Sequence, residues 1–176
     1  MSHVAAPTAV RFEHRTDEPV LGIGTATPRL SWIVPEADGS FVQEAYEVEL
    51  TRAETEPEIV HVAGGEQVLV PWPAAPLTSR ESVRVRVRVR GAGMRSDWSD
   101  PATVEAGLLG TGDWTAQFIS ARELGGLGAP APVLGSVLEV PGGVVQARLY
   151  ATAHGLYEAR LNGHRVGDQL LAPGWT

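Results

Sequence analysis

The side chains that could perform acid–base chemistry are the 21 aspartates and glutamates, which are accompanied by five histidines and no cysteine. General acid–base catalysis by carboxyl groups needs two of them across one cleft, one of them kept protonated by its surroundings. Carboxylates are plentiful enough that their number does not exclude such a pair. Glu54, Glu56 and Glu58 lie in a hydrophilic, turn-like stretch, and we expect them to be solvated charges.

Trp98 is an aromatic side chain with binding potential, because Asp97 and Asp100 flank it in a loop-like stretch. Aromatic ring faces stack on sugar rings, so this loop could contact a saccharide. The alternative, which we favour, is that Trp98 closes the edge of its domain against the linker. Trp114 and Trp175 leave the same two alternatives open.

Residues 83–90 read ValArgValArgValArgValArg, the most regular pattern in the chain. A basic ribbon could bind nucleic acid or an acidic glycan, but a strict period of two is typical of a strand with one buried face. We therefore expect the valines in the core and the arginines on the open face. A neighbouring strand at 45–51 would oppose them with Glu47 and Glu49. Exposed cross-strand pairs, each contributing about 0.2–1 kcal/mol, then explain the arginines.

The alternation in three separate strands predicts that Trp32, Val48, Val85 and Val87 share one core between two sheets. An aspartate at position 87 would bury a charge without a partner and should be costly. An aspartate in place of Arg88 would face water and should cost much less.

Metal and cofactor motifs are missing from the sequence. The histidines never fall at the spacing of a metal site, and there is no nucleophile elbow, phosphate-binding loop or dinucleotide fingerprint. We therefore assign no catalytic residue, metal ligand or cofactor-binding residue to the chain. The histidines are His3, His14, His61, His154 and His164, of which the last two flank one predicted hairpin.

Composition limits the partners and the compartment. The net charge of −7 disfavours nucleic acid, since phosphate binding needs an excess of clustered positive charge. No apolar run approaches the roughly 18 residues that a membrane helix needs, so no membrane partner is expected. The first residues show no signal peptide, and the absence of cysteine fits a reducing compartment. These features predict a cytoplasmic protein.

The chain contains 13 prolines and 20 glycines, and short runs in which apolar and polar residues alternate lie between them. This pattern predicts an all-β protein. We expect a tail at 1–7, an immunoglobulin-like or fibronectin type III-like sandwich at 8–107, a linker at 108–116 and the first part of an incomplete jelly-roll-like β-sandwich at 117–176. The predicted strands are 10–13, 30–34, 45–51, 59–62, 68–70, 82–90 and 102–106 in the first domain, then 117–119, 137–140, 146–152, 156–161 and 164–166 in the second.

A hairpin is predicted within the last 28 residues, where Asn162 and Gly163 separate two strand-like runs. Asn-Gly between such runs is the strongest short-range hairpin signal, because both turn positions need a positive φ.

Four pieces around this hairpin resemble the N-terminal sandwich domain of bacterial α-L-rhamnosidases of glycoside hydrolase family 78, in which they follow in the same order. They are GlyLeuTyrGlu at 155–158, the AsnGly turn, ValGlyAsp at 166–168 and LeuAlaProGlyTrpThr at 171–176. Shorter pieces nearer the N-terminus resemble the fibronectin-like domain that opens many of these enzymes. The motif residues that the resemblance singles out, all with structural roles, are Trp32, Trp98, Trp114, Gly155, Tyr157, Asn162, Gly163, Gly167, Pro173, Gly174 and Trp175.

The resemblance implies that a longer parent enzyme hydrolyses terminal α-L-rhamnosyl bonds of a rhamnose-containing glycan or glycoside, with inversion. Its acid and base would lie in a helical barrel downstream of residue 176, so the chain by itself is expected to be inactive. The alternative is a stand-alone β-sandwich module for carbohydrate binding or adhesion.

Overall fold

The computed structural model describes residues 4–35, 41–53, 55–123 and 125–174. It divides into two compact units, Met1–Thr115 and Ala116–Thr176. The described elements are β-strands and one short 3-10 helix, Thr111–Asp113. Within these residues, no helix is long and apolar enough to cross a membrane.

The first unit is an immunoglobulin-like β-sandwich, as predicted. The larger sheet has the order β2-β8-β6-β4-β5 with β7 paired to β6, and the smaller sheet pairs β1 with β3. The strands are β1 Thr8–Phe12, β2 Val20–Ile23, β3 Leu30–Ile33, β4 Ala45–Arg52, β5 Glu58–Ala63, β6 Ser82–Gly91, β7 Met94–Arg95 and β8 Ala102–Ala106.

Strands β2 and β7 were missing from the sequence prediction. In β2, Gly22 has a φ of 70°, and the register of the parallel β2–β8 pair shifts between Val20 and Ile23. Both of these side chains are buried although they are three residues apart, so the period of two is interrupted. Strand β7 has only two residues and can show no period. The predicted strand at 68–70 is instead a single bridge between Leu30 and Val70.

The core lies between the two sheets and contains the predicted residues. The four valines of β6 are 0% exposed, Trp32 is 3% exposed and Val48 is 0% exposed. Strand β6 supplies one buried residue at every second position because its ladder with β4 runs without a bulge from Ala45↔Arg90 to Arg52↔Val83. The predicted shared core is therefore confirmed.

The opposite face of β6 is less uniform than expected. Arg84 is exposed, but the side chain of Arg88 is only 16% exposed and pairs with Glu47. The expectation that Arg88 faces open water was wrong, because side chains from neighbouring segments pack on it.

The second unit contains the predicted Asn-Gly hairpin. Strands β9 Arg160–Leu161 and β10 His164–Arg165 are antiparallel, and Asn162 and Gly163 have φ values of 50° and 81°. A bridge between Tyr157 and Ala172 adds a further contact. Positive φ at both turn residues gives the twist that a two-residue hairpin needs.

The other strands predicted for this unit, at 117–119, 137–140 and 146–152, are not formed. A strand requires a neighbour for its backbone groups, and no described residue forms a backbone ladder with these segments. Their apolar side chains are correspondingly exposed, with Val137 at 93% and Ile119 at 75%. Over the described residues this unit is thus an incomplete sandwich.

Replacing Val87 by aspartate should reduce the free energy of unfolding by about 4 kcal/mol or more, because a carboxylate would enter the core without a partner. Arg84→Asp is the matched control on the exposed face of the same strand and should cost less than about 1 kcal/mol. Urea denaturation followed by circular dichroism measures both. Greater damage from the Arg84 change would mean that the faces are inverted.

Backbone amides of the two units should differ in hydrogen exchange. Residues 83–89 lie in the centre of a sheet and should be strongly protected, whereas residues 157–166 have only a two-residue ladder and one bridge. Exchange measured by NMR on the monomeric 176-residue chain tests this. Equal protection of both segments would contradict the incomplete character of the second unit.

Candidate functional site

The charged side chains on the outer face of β4 and β6 form the densest polar cluster described in the chain. Register places Glu47 opposite Arg88 and Glu49 opposite Arg86. Arg86 donates to Glu49 Oε1 from Nε at 2.9 Å and from Nη2 at 2.6 Å. Arg88 donates to Glu47. The predicted Arg–Glu cross-strand pairs are confirmed.

Glu47 is the centre of this cluster and is buried, with only 2% of its side chain exposed. In addition to Arg88, it contacts His61 Nδ1 at 2.9 Å and Arg90 Nη1 at 3.5 Å. Burial by itself would raise the pKa of the Glu47 carboxyl. The hydrogen bond from Arg88 and the electrostatic effects of Arg88, His61 and Arg90 outweigh burial, so the pKa lies below the usual value. The expectation of exposed pairs was wrong for Glu47, because these neighbours surround it.

Trp98 lies over the guanidinium groups of Arg88 and Arg86, with their central carbons 4.2 Å and 5.6 Å from its ring centroid. These are cation–π distances. The indole therefore covers the arginine face, a position that neither sequence alternative for Trp98 included. The signal in the sequence was the long arginine alternation, which offers flat cations for an aromatic ring to cover.

Two serines hold the Trp98 loop against β6. Val89 N–H donates to Ser96 Oγ at 3.0 Å, and Ser96 N–H donates to the Val89 carbonyl at 2.9 Å. Val87 and Ser99 repeat the same pair of hydrogen bonds at 3.0 Å and 2.8 Å. Because the bonds recur two residues apart on β6, the loop follows the strand and the Trp98 ring is held over the outer face.

Trp32 lies in the core. Its Nε1 donates to Gln43 Oε1 at 3.3 Å, and its ring is 4.8 Å from that of Tyr46. The Gln43 amide in turn donates to the carbonyls of Gly64 and Glu66 at 3.2 Å and 3.1 Å. The buried indole N–H is thus satisfied, and this tryptophan is structural.

Trp114 follows the short 3-10 helix and is 38% exposed. The preceding Asp113 accepts hydrogen bonds from the Ser79 hydroxyl and, at 2.8 Å, from Gly110 N–H. The hydrogen bonds from Ser79 and then Gly110 lower the pKa of Asp113. Arg80 Nη2 donates to the Asp113 carbonyl at 3.0 Å. These bonds hold residues 110–113 against Ser79 and Arg80 of the same unit.

The motif residues of the second unit lie at its turns and at its bridge. Tyr157 N–H donates to the Ala172 carbonyl at 2.9 Å, and its hydroxyl donates to the Ala151 carbonyl at 3.0 Å. Asn162 and Gly163 form the hairpin turn, and the Ala172–Pro173 peptide is cis. Positive φ values are found at three further motif glycines, Gly155 (110°), Gly167 (75°) and Gly174 (99°).

Trp175 lies outside the described residues, as does Glu54. Among the residues that are described, no group of three or more histidine, aspartate or glutamate side chains could hold a metal ion. Two histidines have specific contacts instead: His61 with Glu47, and His154 with the Phe118 ring at 4.3 Å. The described site is therefore a set of packing and charge contacts.

Two family models match the chain in succession. The model described as "Rha78A-like, N-terminal immunoglobulin domain" matches residues 7–110. The model of the alpha-L-rhamnosidase N-terminal domain matches residues 142–176.

Curated relatives and solved structures carry the same name. An alpha-L-rhamnosidase of Formosa agariphila is 30% identical over 89% of this chain, and one of Alteromonas sp. is 30% identical over 97%. The crystal structure of the Aspergillus terreus enzyme is 33% identical over 97% of this chain with a TM-score of 0.71. That of Dictyoglumus thermophilum, at 21% identity and the same TM-score, covers 100% of this chain and shows the likeness of fold. The chain spans about a fifth of each of these proteins: 19% and 20% of the relatives and 20% and 22% of the structures.

Acid should weaken the fold through Glu47. Its carboxylate, whose pKa is lowered in the folded state, stabilises the fold fully above its unfolded pKa of about 4.5, and this stabilisation is lost as the pH falls through the lowered folded value. Glu47→Gln should therefore cost about 3 kcal/mol at pH 7, since Arg88 loses a charged partner, and the difference from wild type should shrink below about pH 4.5.

Urea denaturation from neutral to acidic pH, followed by circular dichroism, measures this difference. Glu58→Gln on the exposed start of β5 is the control, and it should cost less than about 0.5 kcal/mol at pH 7. A difference between the Glu47 variant and wild type that stays constant with pH would contradict the assigned role of the charge.

Proposed function

Because the chain belongs to the family of Rha78A-like N-terminal immunoglobulin domains of α-L-rhamnosidases, we propose that it is the non-catalytic N-terminal region of an enzyme that hydrolyses terminal α-L-rhamnosyl bonds. The observation that carries this proposal is the order of the two matched domains on one short chain. Relatives with the same order, named alpha-L-rhamnosidases, are about five times as long, which supports a separate catalytic region in the parent.

The substrate of the parent is a rhamnose-containing glycan or glycoside. Hydrolysis with inversion would use one carboxylic acid to protonate the leaving oxygen and one carboxylate to activate water. Three carboxylates of the first unit are paired with arginines: Glu47 and Glu49 with arginines of β6, and Glu13 with Arg29. This supports placing the acid and base elsewhere in the parent, in the helical barrel that the family resemblance implies.

The partner of this region is the remainder of the same polypeptide. Segments of the second unit at 137–140 and 146–149 have exposed apolar side chains and no strand partner among the described residues. Further strands of the parent would complete this sheet and cover those side chains. The first unit would then brace the catalytic barrel. Nucleic acid is an unsuitable partner, because Arg86, Arg88 and Arg90 of β6 are paired with glutamates in a chain of net charge −7.

The purified chain should show no hydrolysis of p-nitrophenyl α-L-rhamnopyranoside above a buffer blank, whereas a longer polypeptide carrying this region at its N-terminal end should release p-nitrophenol. Release of the chromophore is followed by absorbance. Turnover that copurifies with the 176-residue chain would contradict its non-catalytic role. An inactive full-length parent would contradict the proposed substrate class.

A further inference from the structure

A groove of about 320 Å³ lies on the first unit, between the start of β1 and the loop before β8. It is opened by an irregularity in β1, whose register against β3 shifts between Thr8 and Arg11. Ala9, at the shift, has a φ of 51°, which few residues other than glycine adopt. Such bulges bend a strand and redirect its side chains. None of the contacts discussed above for the arginine cluster or the motif turns accounts for this groove.

The walls of the groove are held in place. Glu18 Oε1 accepts the Thr103 N–H at 2.8 Å, which ties the turn before β2 to β8 across 85 residues of sequence. Arg15 donates to both carboxylate oxygens of Asp17, at 2.9 Å and 2.6 Å. On the other wall, Ser99 is bonded through its backbone and hydroxyl to β6. A site whose walls are already ordered loses less conformational entropy when a ligand binds.

The lining combines buried apolar side chains with exposed charged ones. Pro7 and Ala102 are buried. Arg11 and Asp100 are exposed members of the lining, and among the described residues neither the Arg11 guanidinium nor the Asp100 carboxylate has a protein partner. One donor group and one acceptor group of the lining thus remain available.

The charged groups in the lining indicate which chemical class of ligand the groove can bind. An anion would meet the carboxylates of Asp17, Glu18 and Asp100, and a cation would meet the guanidinium groups of Arg11 and Arg15. A neutral ligand with hydroxyl groups satisfies both signs, since each hydroxyl donates and accepts. A pyranose ring also has an apolar C–H face, which suits the buried apolar side chains of the lining. The volume is in the range of small-molecule sites.

We propose that this groove is an accessory saccharide site that binds one sugar residue, with Arg11 donating to and Asp100 accepting from its hydroxyl groups. Only the choice of a rhamnoside as one probe rests on the proposed function.

The test is a titration of the ¹⁵N-labelled 176-residue chain with methyl α-L-rhamnopyranoside, methyl α-D-glucopyranoside and, separately, inorganic phosphate. A saccharide should shift amide resonances of residues 8–18 and 99–103 in a saturable manner. Arg11→Ala and Asp100→Ala should each weaken that binding about tenfold, because each removes a charged hydrogen-bonding group. Arg84→Ala and Glu58→Ala, exposed charges outside the groove lining, should leave it unchanged.

Binding of either glycoside with this pattern of variants supports the site, and binding of the glucoside alone supports it without bearing on the rhamnosidase activity of the parent. Three results overturn it: no saturable shift with either glycoside, equal binding by the Arg11 and Asp100 variants, or saturation by phosphate alone. Thermal melts of all variants verify folding, and because all four changes are at exposed positions the melting temperatures should agree within a few degrees.

Discussion

Strand β6 imposes the constraint on which the rest of the first unit depends. It pairs with β4, β7 and β8, so it joins most of the larger sheet. Its valines lie in the core, while Arg86 and Arg88 bind glutamates of β4 and contact the ring of Trp98. A shift of one residue in its register would exchange these faces completely. The buried Glu47 reinforces the register, since its contacts with β5 and β6 exist only in one alignment.

Regular alternation made most of the first unit predictable from sequence. The strands at 45–51 and 82–90 and their shared core follow from period-two patterns, and residues 102–106 match β8 end to end. Strand β2 could not be predicted, because Gly22 and the register shift place its two buried residues, Val20 and Ile23, three positions apart. The burial of Glu47 could not be predicted either. It depends on His61 and on the packing of the Trp98 loop, and the sequence pattern of a single strand contains no information on these contacts.

In the second unit, the sequence predicted the local turn correctly but not the strands that need distant partners. The Asn162-Gly163 turn is specified by its own φ requirements and forms as predicted. Segments with equally strand-like sequences, such as 137–140, remain unpaired because their strand character is realised only against neighbours. The groove beside β1 was not foreseen for a related reason: Arg11 and Asp100 are about ninety residues apart in sequence, and only the fold brings both to its lining.

The pairing of β2 with β8 gives the first unit a mechanical property. These two strands lie near opposite ends of the unit, at Val20–Ile23 and Ala102–Ala106, and they run parallel, with Gly107 N–H also donating to the Ile23 carbonyl at 2.9 Å. Tension applied to the start of β2 and the end of β8 would slide the two strands along each other. The hydrogen bonds between the strands would then be loaded together, in shear. An antiparallel terminal pair would open one bond at a time. Separating β2 from β8 in this direction therefore requires several backbone hydrogen bonds to break at once.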